Sequence, residues 1–510
     1  MRSRSGPAAP FILTVLCFVL CLGTARAADL RIGFTADAVT LDPANYSYRD
    51  NETLLRQMYD GLTTHGPGMK VVGELAQSWR QTDPLTYEFT LRKGVKFHDG
   101  SELTADDVVF TLHRLMTPGA VFGKTSPRKD LLGPLTTVEK LDRYTVQLKL
   151  AKPWPVLPGM LAFQEITNQA FVEKVGPGVA TQEDGTGPFR LLQWHRGEQL
   201  VLERFPDYYG GPTDVPHAGT ACVDHLIIKT IPENAARVAA LLAGDVEIIN
   251  DLPVDSISEV EVSSVAKVMS VNGTRTFFVS LNNTKPPFND LGVRQAANYA
   301  LDKKLIIDKI LRGRAVPLAG VLSPDAFGFD PELPQYNYDP AKAKALLAAA
   351  GHPNGIDVTL DTDGAGKDMA EAIAALLTQS GIRTKVVVGE ASQVRARWLG
   401  GPRGDMWLSS WGNGSLDPFD IFHPTLHTGG RGNSSGYSNA RVDALLDAAD
   451  VNTDLTRRAA EYRDAQEIVN KDAPWIFLWL PQDIYGVSKR LTGFAPSPDG
   501  RLNLRDACVH

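Results

Sequence analysis

Residues 76–115, AQSWRQTDPLTYEFTLRKGVKFHDGSELTADDVVFTLHRL, hold the pattern that decides the fold. Tyr87, Phe89 and Leu91 alternate with polar neighbours, the period of a half-buried strand. Lys93-Gly94 turns the chain. Thr104 with Asp107 three residues on then predicts a capping box, opening a helix that runs to Met116. Tyr144, Val146, Leu148 and Leu150 repeat the period of two after another turn. Residues 73–184 therefore read as a β-rich unit of its own.

Outward from this unit the periods change. Upstream, residues 30–34 read as a first strand, followed by a loop over 36–48. Downstream, Gly185-Thr186-Gly187-Pro188 breaks the alternation, and strands follow at 189–194, 200–204 and 224–231. Pro232 opens a helix over 233–243 that Gly244 stops, and 245–250 returns as a strand, a βαβ run. Beyond residue 276 come a strand over 277–281 and helices over 292–300 and 303–311. Asp339-Pro340 is an N-cap with a first-turn proline. A second βαβ run spans 358–360, 368–379 and 385–388. Helices over 440–449 and 455–470 precede an apolar strand over 475–480. Residues 276–476 thus bracket one α/β lobe, while 28–72, 185–275 and 477–510 build the other. Two chain crossings, near 275 and 477, make a hinge, and a hinge over a cleft can trap a ligand.

The N-terminus reads as a secretory leader, with Arg2 and Arg4 before an apolar run over 11–23 and a cleavage site at Ala25-Arg26-Ala27. The run is short for a bilayer span, so the expected mature chain begins after Ala27; an uncleaved anchor is the alternative. Cys17 and Cys21 follow leucines, where a lipoprotein signal wants a small residue. Removing residues 1–27 takes three of the 52 basic side chains and none of the 59 acidic ones, leaving a net charge of −10. That balance argues against nucleic acid or an anionic membrane as partner. The length implies two or three lobes. Cys222 and Cys508 would meet an oxidising compartment, where a bridge between them and a pair of separate thiols both remain open.

Several segments, in order, resemble one family, the periplasmic solute receptors of ABC importers in the peptide, nickel and opine class, family 5. They are Leu41-Asp42-Pro43, Tyr59-Asp60-Gly61-Leu62, the 76–115 stretch, Gly185-Thr186-Gly187-Pro188-Phe189, Asn282-Asn283, Pro287-Phe288, Val293-Arg294-Gln295-Ala296, Ala300-Leu301-Asp302 and Tyr338-Asp339-Pro340-Ala341-Lys342-Ala343. The resemblance implies an α/β, type II periplasmic binding protein-like fold, two lobes joined by a hinge with an additional β-rich subdomain. It implies a monomeric periplasmic receptor that closes on a peptide, opine or oligosaccharide and delivers it to an inner-membrane permease. A sensing role is the alternative. It implies neither catalysis nor a cofactor, and no GxSxG, GxxxxGK[ST] or cysteine–histidine zinc spacing argues otherwise.

For the ligand, the resemblance points to Trp407–Pro418, WLSSWGNGSLDP. Peptide receptors of the family carry, three residues after the tryptophan, an aspartate for the ligand's ammonium; here Gly414 stands there. Asp417 is the nearest carboxylate, although Asp417-Pro418 is also an N-cap pattern. The nickel branch has a histidine after Asp-Pro, and here the residue is Phe419. His423 and His427 are four apart but flank Pro424, so they read as exposed or capping residues and no metal site is expected. The expected ligand contacts are Tyr46, Ser47, Tyr48, Phe122, Trp407, Ser409, Trp411, Asn413, Asp417, Arg431, Tyr437 and Trp479. Flat aromatic faces with hydroxyls and amides suit polar solutes. Arg431 reads equally as a carboxylate clamp or a solvated loop residue, and Trp398 and Trp475 as packing.

Overall fold

The computed structural model describes residues 29–47, 49–212 and 219–510. The expected leader and Tyr48 lie outside the described residues. An antiparallel sheet, in the order Ala76–Asp83, Thr86–Leu91, Thr145–Leu150 and Leu135–Asp142, forms the β-rich unit. Helix Ala105–Met116 lays Val108, Leu112 and Leu115 into its core. The capping box forms in both directions. Thr104 Oγ1 accepts from Asp106 N–H, and Thr104 N–H donates to Asp107 Oδ2 at 2.9 Å.

The first lobe is an eight-stranded mixed sheet. Strand Asp29–Phe34 lies parallel to His225–Thr230 on one side and to Ile248–Ile249 on the other. Trp479–Ser488 returns from the far end of the chain and pairs antiparallel with Ile248–Ile249 and Ala266–Asn272. The second lobe is a five-stranded sheet in the order Ile382–Gly389, Ile356–Asp363, Met406–Gly412, Arg275–Leu281 and Trp475–Phe477. Its apolar core is built around Val279, Leu281, Leu360 and Met406. A disulfide joins Cys222 to Cys508, 286 positions apart, and ties the C-terminus to the first lobe.

Two expected strands differ in extent. The one over 245–250 shortens to Ile248–Ile249, next to Glu247, whose buried carboxylate is shared by Arg31 and Arg490. The one over 475–480 divides into Trp475–Phe477 and Trp479–Ser488, because the chain changes sheets at this point. That change of sheet is one of the two crossings.

Most segments that carry the family resemblance hold this scaffold together. Asp42 forms a bidentate pair with Arg114 at 2.7 Å, both side chains buried. Thr186 Oγ1 donates to Asp60 Oδ2 at 3.0 Å, locking two of the segments to each other. At Gly187 a Cβ would stand 2.5 Å from the Met58 carbonyl carbon, so only glycine admits the bond from its N–H to Met58 O at 2.9 Å.

Candidate ligand-binding site

The two crossings run side by side. Asn272 pairs with Gln482, and Gly273 N–H donates to Pro481 O at 3.1 Å. Charged side chains from both lobes converge beside them. Arg49, first residue of helix Arg49–Leu55, reaches Asp483 Oδ2 on the crossing strand at 3.2 Å. From the second lobe, Arg275 opens its strand and donates through Nη1 to Ser410 Oγ at 3.2 Å. A Cβ at Gly412 would lie 3.3 Å from Arg275 Nη2, so the guanidinium lies along the strand over this glycine.

The electrostatics of the group favour an anion. Desolvation, then the charge of Arg49 and more weakly that of Arg395, push the Arg275 pKa down despite Asp483, although the residue keeps solvent contact at the start of its strand. Burial raises the Asp483 carboxyl against the pull of Arg49. Among the described residues, no carboxylate bridges Arg275 itself. Repulsion between guanidinium charges is relieved by a negative ligand group.

Next on the chain, Asn413 N–H donates to Thr274 O at 2.8 Å. Its side chain is 3% exposed, and neither Oδ1 nor Nδ2 finds a partner. A buried amide in that state costs free energy until something supplies a donor and an acceptor. At Gly414 a Cβ would stand 3.6 Å from the Phe163 ring. Phe163 belongs to the β-rich unit, and its own faces meet the edge of His65 and the guanidinium of Arg501. An apolar ring thus covers the place where an ammonium-binding aspartate would stand.

The remaining expected contacts separate into rim and scaffold. Ser47 is exposed in its loop, and Phe122 is 43% exposed with Arg114 over its ring. Trp407 and Ser409 are half-buried on one strand, the tryptophan stacked on Trp398. Arg431 lies over the Trp411 ring at 5.0 Å. Trp411 donates from Nε1 to Asp420 O at 2.7 Å.

Four of the expected contacts lie buried or paired within the protein. Tyr46 is buried under Arg128, with its hydroxyl donating to Glu165 at 2.8 Å. Tyr437 is buried and donates to Asp472 at 2.6 Å. Trp479 is core at 2% exposure. Both Asp417 oxygens are taken by Arg458, at 2.6 and 2.7 Å, and Oδ1 also accepts from Phe419 N–H. Tyr46, Tyr437 and Asp417 thus have their polar groups satisfied inside the protein, and Trp479 packs in the core. Arg49, Arg275, Asp483 and Phe163 were not anticipated. Scattered charged residues carry no local signal of a shared site.

A separate cavity of about 550 Å³ lies behind Phe163, lined by Arg56, Asp60, His65, Glu74, Asp499 and Arg501 among others. Burial would raise the Asp499 carboxyl, but Arg501 and the His65 hydrogen bond outweigh it and hold it well below the usual range. No lining residue comes from 276–476, so this cavity is internal to one side of the hinge. Closure needs contacts from both lobes, which the Arg49–Arg275–Asn413 region provides.

Comparison with known proteins agrees with this architecture. The description "Bacterial extracellular solute-binding proteins, family 5 Middle" matches residues 70–433. The glutathione-binding protein GsiB of Pectobacterium atrosepticum is 29% identical over 94% of this chain and 94% of its own. Heme-binding protein A of Haemophilus influenzae is 30% identical over 95% of this chain and 90% of its own. The solved structure of HbpA2 from Haemophilus parasuis superposes with a TM-score of 0.86 at 27% identity, covering 94% of this chain and all of that one.

Proposed function

Since this chain belongs to the bacterial extracellular solute-binding proteins of family 5, receptors that serve ABC importers, we propose that its cleft captures a small peptide-like acid. The ligand's carboxylate lies between Arg49 and Arg275, and its amide meets the Asn413 side chain. The observation that supports this reading is the Arg275 guanidinium, bonded to Ser410, without a bridging carboxylate among the described residues, and opposed by the charge of Arg49. Asn413, buried with both amide atoms free, supplies the complement of a peptide group. Gly414 under Phe163 argues against a free α-ammonium at that point.

Glutathione, the ligand in the name of one relative, is a peptide acid with carboxylates and amides and fits such a lining. Heme, in the name of the other, also carries carboxylates for an arginine pair, but its broad apolar macrocycle offers no amide to meet Asn413. The bound solute bridges both lobes only when they are closed, so its extra contacts shift the population toward the closed state. The closed receptor delivers its cargo to the membrane permease. It works as a monomer in the periplasm, after loss of a leader ending at Ala27.

Calorimetry on the mature protein tests the reading, with glutathione, its dimethyl ester, alanine tripeptide and hemin as ligands. The expected result is binding of glutathione that weakens about tenfold or more when the carboxylates are esterified or when Arg275→Ala is introduced. Equal affinity for acid and ester would refute the carboxylate clamp, and binding of hemin alone would refute the peptide-like class.

A further inference from the structure

His423 lies on the helix Phe419–Leu426 and His427 is the residue that ends it. Pro424 between them is the sequence argument for keeping the two apart, yet their ring centroids are only 4.7 Å from each other. The helix continues through the proline for an identifiable reason. A residue at 424 would normally donate its N–H to the carbonyl of Asp420, and proline has none. Here that carbonyl accepts from Trp411 Nε1 instead, at 2.7 Å. The turn stays helical and both imidazoles project to one side.

Opposite them, helix Ala440–Val451 presents Asp447 and Asp450, three residues apart and so on one face. His427 Nε2 is 3.2 Å from Asp447 Oδ1, and His423 Nδ1 is 3.0 Å from Asp450 Oδ2. One donor atom from each of His423, His427 and Asp447 falls within 4.8 Å of the others. His423 Nδ1 and Asp450 Oδ2 face each other as a buried ion pair, while His427 Nε2 is shut from solvent without an aligned hydrogen bond. The Asp450 side chain is 1% exposed, fixed through its other oxygen by the Tyr462 hydroxyl at 3.0 Å. The second nitrogen of His427, Nδ1, stands 2.9 Å from Thr428 O. That contact places the proton on Nδ1 and leaves a lone pair on Nε2, the outer-shell arrangement of a ligating histidine.

We propose that His423, His427, Asp447 and Asp450 form a binding site for a divalent transition metal of the zinc class. Two imidazoles with the Asp447 carboxylate make a donor set suited to zinc and its neighbours, with Asp450 outside it as the partner that orients His423, and nitrogen donors disfavour calcium and magnesium. Metal–ligand bonds near 2.0 Å set the edge of a coordination tetrahedron at about 3.3 Å. The His427–Asp447 pair already approaches that spacing, and a cation held by His423, His427 and Asp447 gives the buried His427 Nε2 a partner. All four residues belong to the second lobe, so the site forms whether or not the lobes are closed. Its location still matters for closure. His423 stacks on Phe419 at 5.5 Å, and Phe419 meets the edge of Trp154, in the β-rich unit, at 5.7 Å. A metal that fixes the His423 ring fixes one side of the interlobe seam.

The alternative for these atoms is a pair of ordinary imidazolium–carboxylate contacts, and metal titration separates the two. Untagged mature protein is stripped with chelator, then titrated with Zn²⁺ in competition with a chromophoric chelator, and separately with Co²⁺ while visible absorption is followed. The expected result is one tightly bound Zn²⁺ per chain and a tetrahedral Co²⁺ spectrum. His427→Ala and Asp447→Asn should each abolish both signals, and Asp450→Asn should weaken binding about tenfold or more. Asp447 is 62% exposed, so its variant folds even if a histidine variant does not. No zinc uptake by the wild-type protein, or uptake that Asp447→Asn and His427→Ala both retain, overturns the site.

Discussion

Asn413 and Asp417, four positions apart, show how little residue type alone says about role. Both are polar residues in one segment, yet one amide is left unsatisfied while the other side chain is clamped by Arg458. Asn413→Ala should therefore lower ligand affinity about tenfold or more while leaving the melting temperature almost unchanged, since no internal bond is lost. Calorimetry beside a thermal melt checks this, and a large fall in melting temperature would reassign Asn413 to the scaffold. Arg458→Ala should behave in the opposite way. It strands the Asp417 carboxylate and removes a side chain that is 2% exposed. Loss of a buried pair's partner costs about 3 kcal/mol, to be read from urea unfolding. The Asn413 state was not legible in the sequence; for Asp417 the cap pattern foretold its bond from Phe419 N–H but not Arg458, 41 positions on.

At the scale of elements, local patterning was read well. The capping box at Thr104, the N-cap at Asp339 and the parallel pair Ile356–Asp363 with Ile382–Gly389 all form as their residues predict. Such signals lie within a few residues and report on backbone bonds made within the same turn or strand. The helix Phe419–Leu426 is different, for its continuity across Pro424 rests on an indole from another strand. Trp411→Phe keeps the apolar ring but leaves the Asp420 carbonyl without its donor. The expected cost is about 1–2 kcal/mol of stability, measured by denaturant titration, with the helix residues near Pro424 exchanging amide hydrogens faster. An unchanged unfolding midpoint would mean that water serves the carbonyl equally well.

For the whole molecule, buried titratable groups set the response to pH. Burial pushes the carboxyls of Asp184 and Asp420 up to about 6, and burial with the nearby Glu74 charge raises Asp60. Burial opposes protonation of His98, but the Glu183 carboxylate wins and raises its pKa. The sign is the same for all four. The folded protein binds protons that the unfolded chain does not, from about pH 4 up to about 6 for Asp184 and Asp420, up to about 7 for Asp60, and above about pH 6.5 for the histidine. Stability should consequently rise as pH falls from 7.5 to about 5, with the His98 contribution lost again as pH climbs through its raised pKa. Thermal melts across this range test it, and Asp420→Asn should flatten part of the slope. A melting temperature that falls steadily on acidification would show that other groups dominate.

What the sequence determined by itself is the part written in contiguous residues. The β-rich unit, the two βαβ runs, the helix caps, the family membership and the missing carboxylate at Gly414 are all of this kind. Periodicity and capping are short-range interactions, and an ordered series of segments accumulates their signal along the chain. Tertiary structure alone decided which aromatics are buried and which stay on the surface, that Arg49 reaches Asp483 beside the chain crossing, and that two histidines face Asp447 and Asp450. It also decided that Cys222 and Cys508 are bridged. Each of these facts is a distance between remote residues, fixed by how sheets and helices pack rather than by any pattern along the chain.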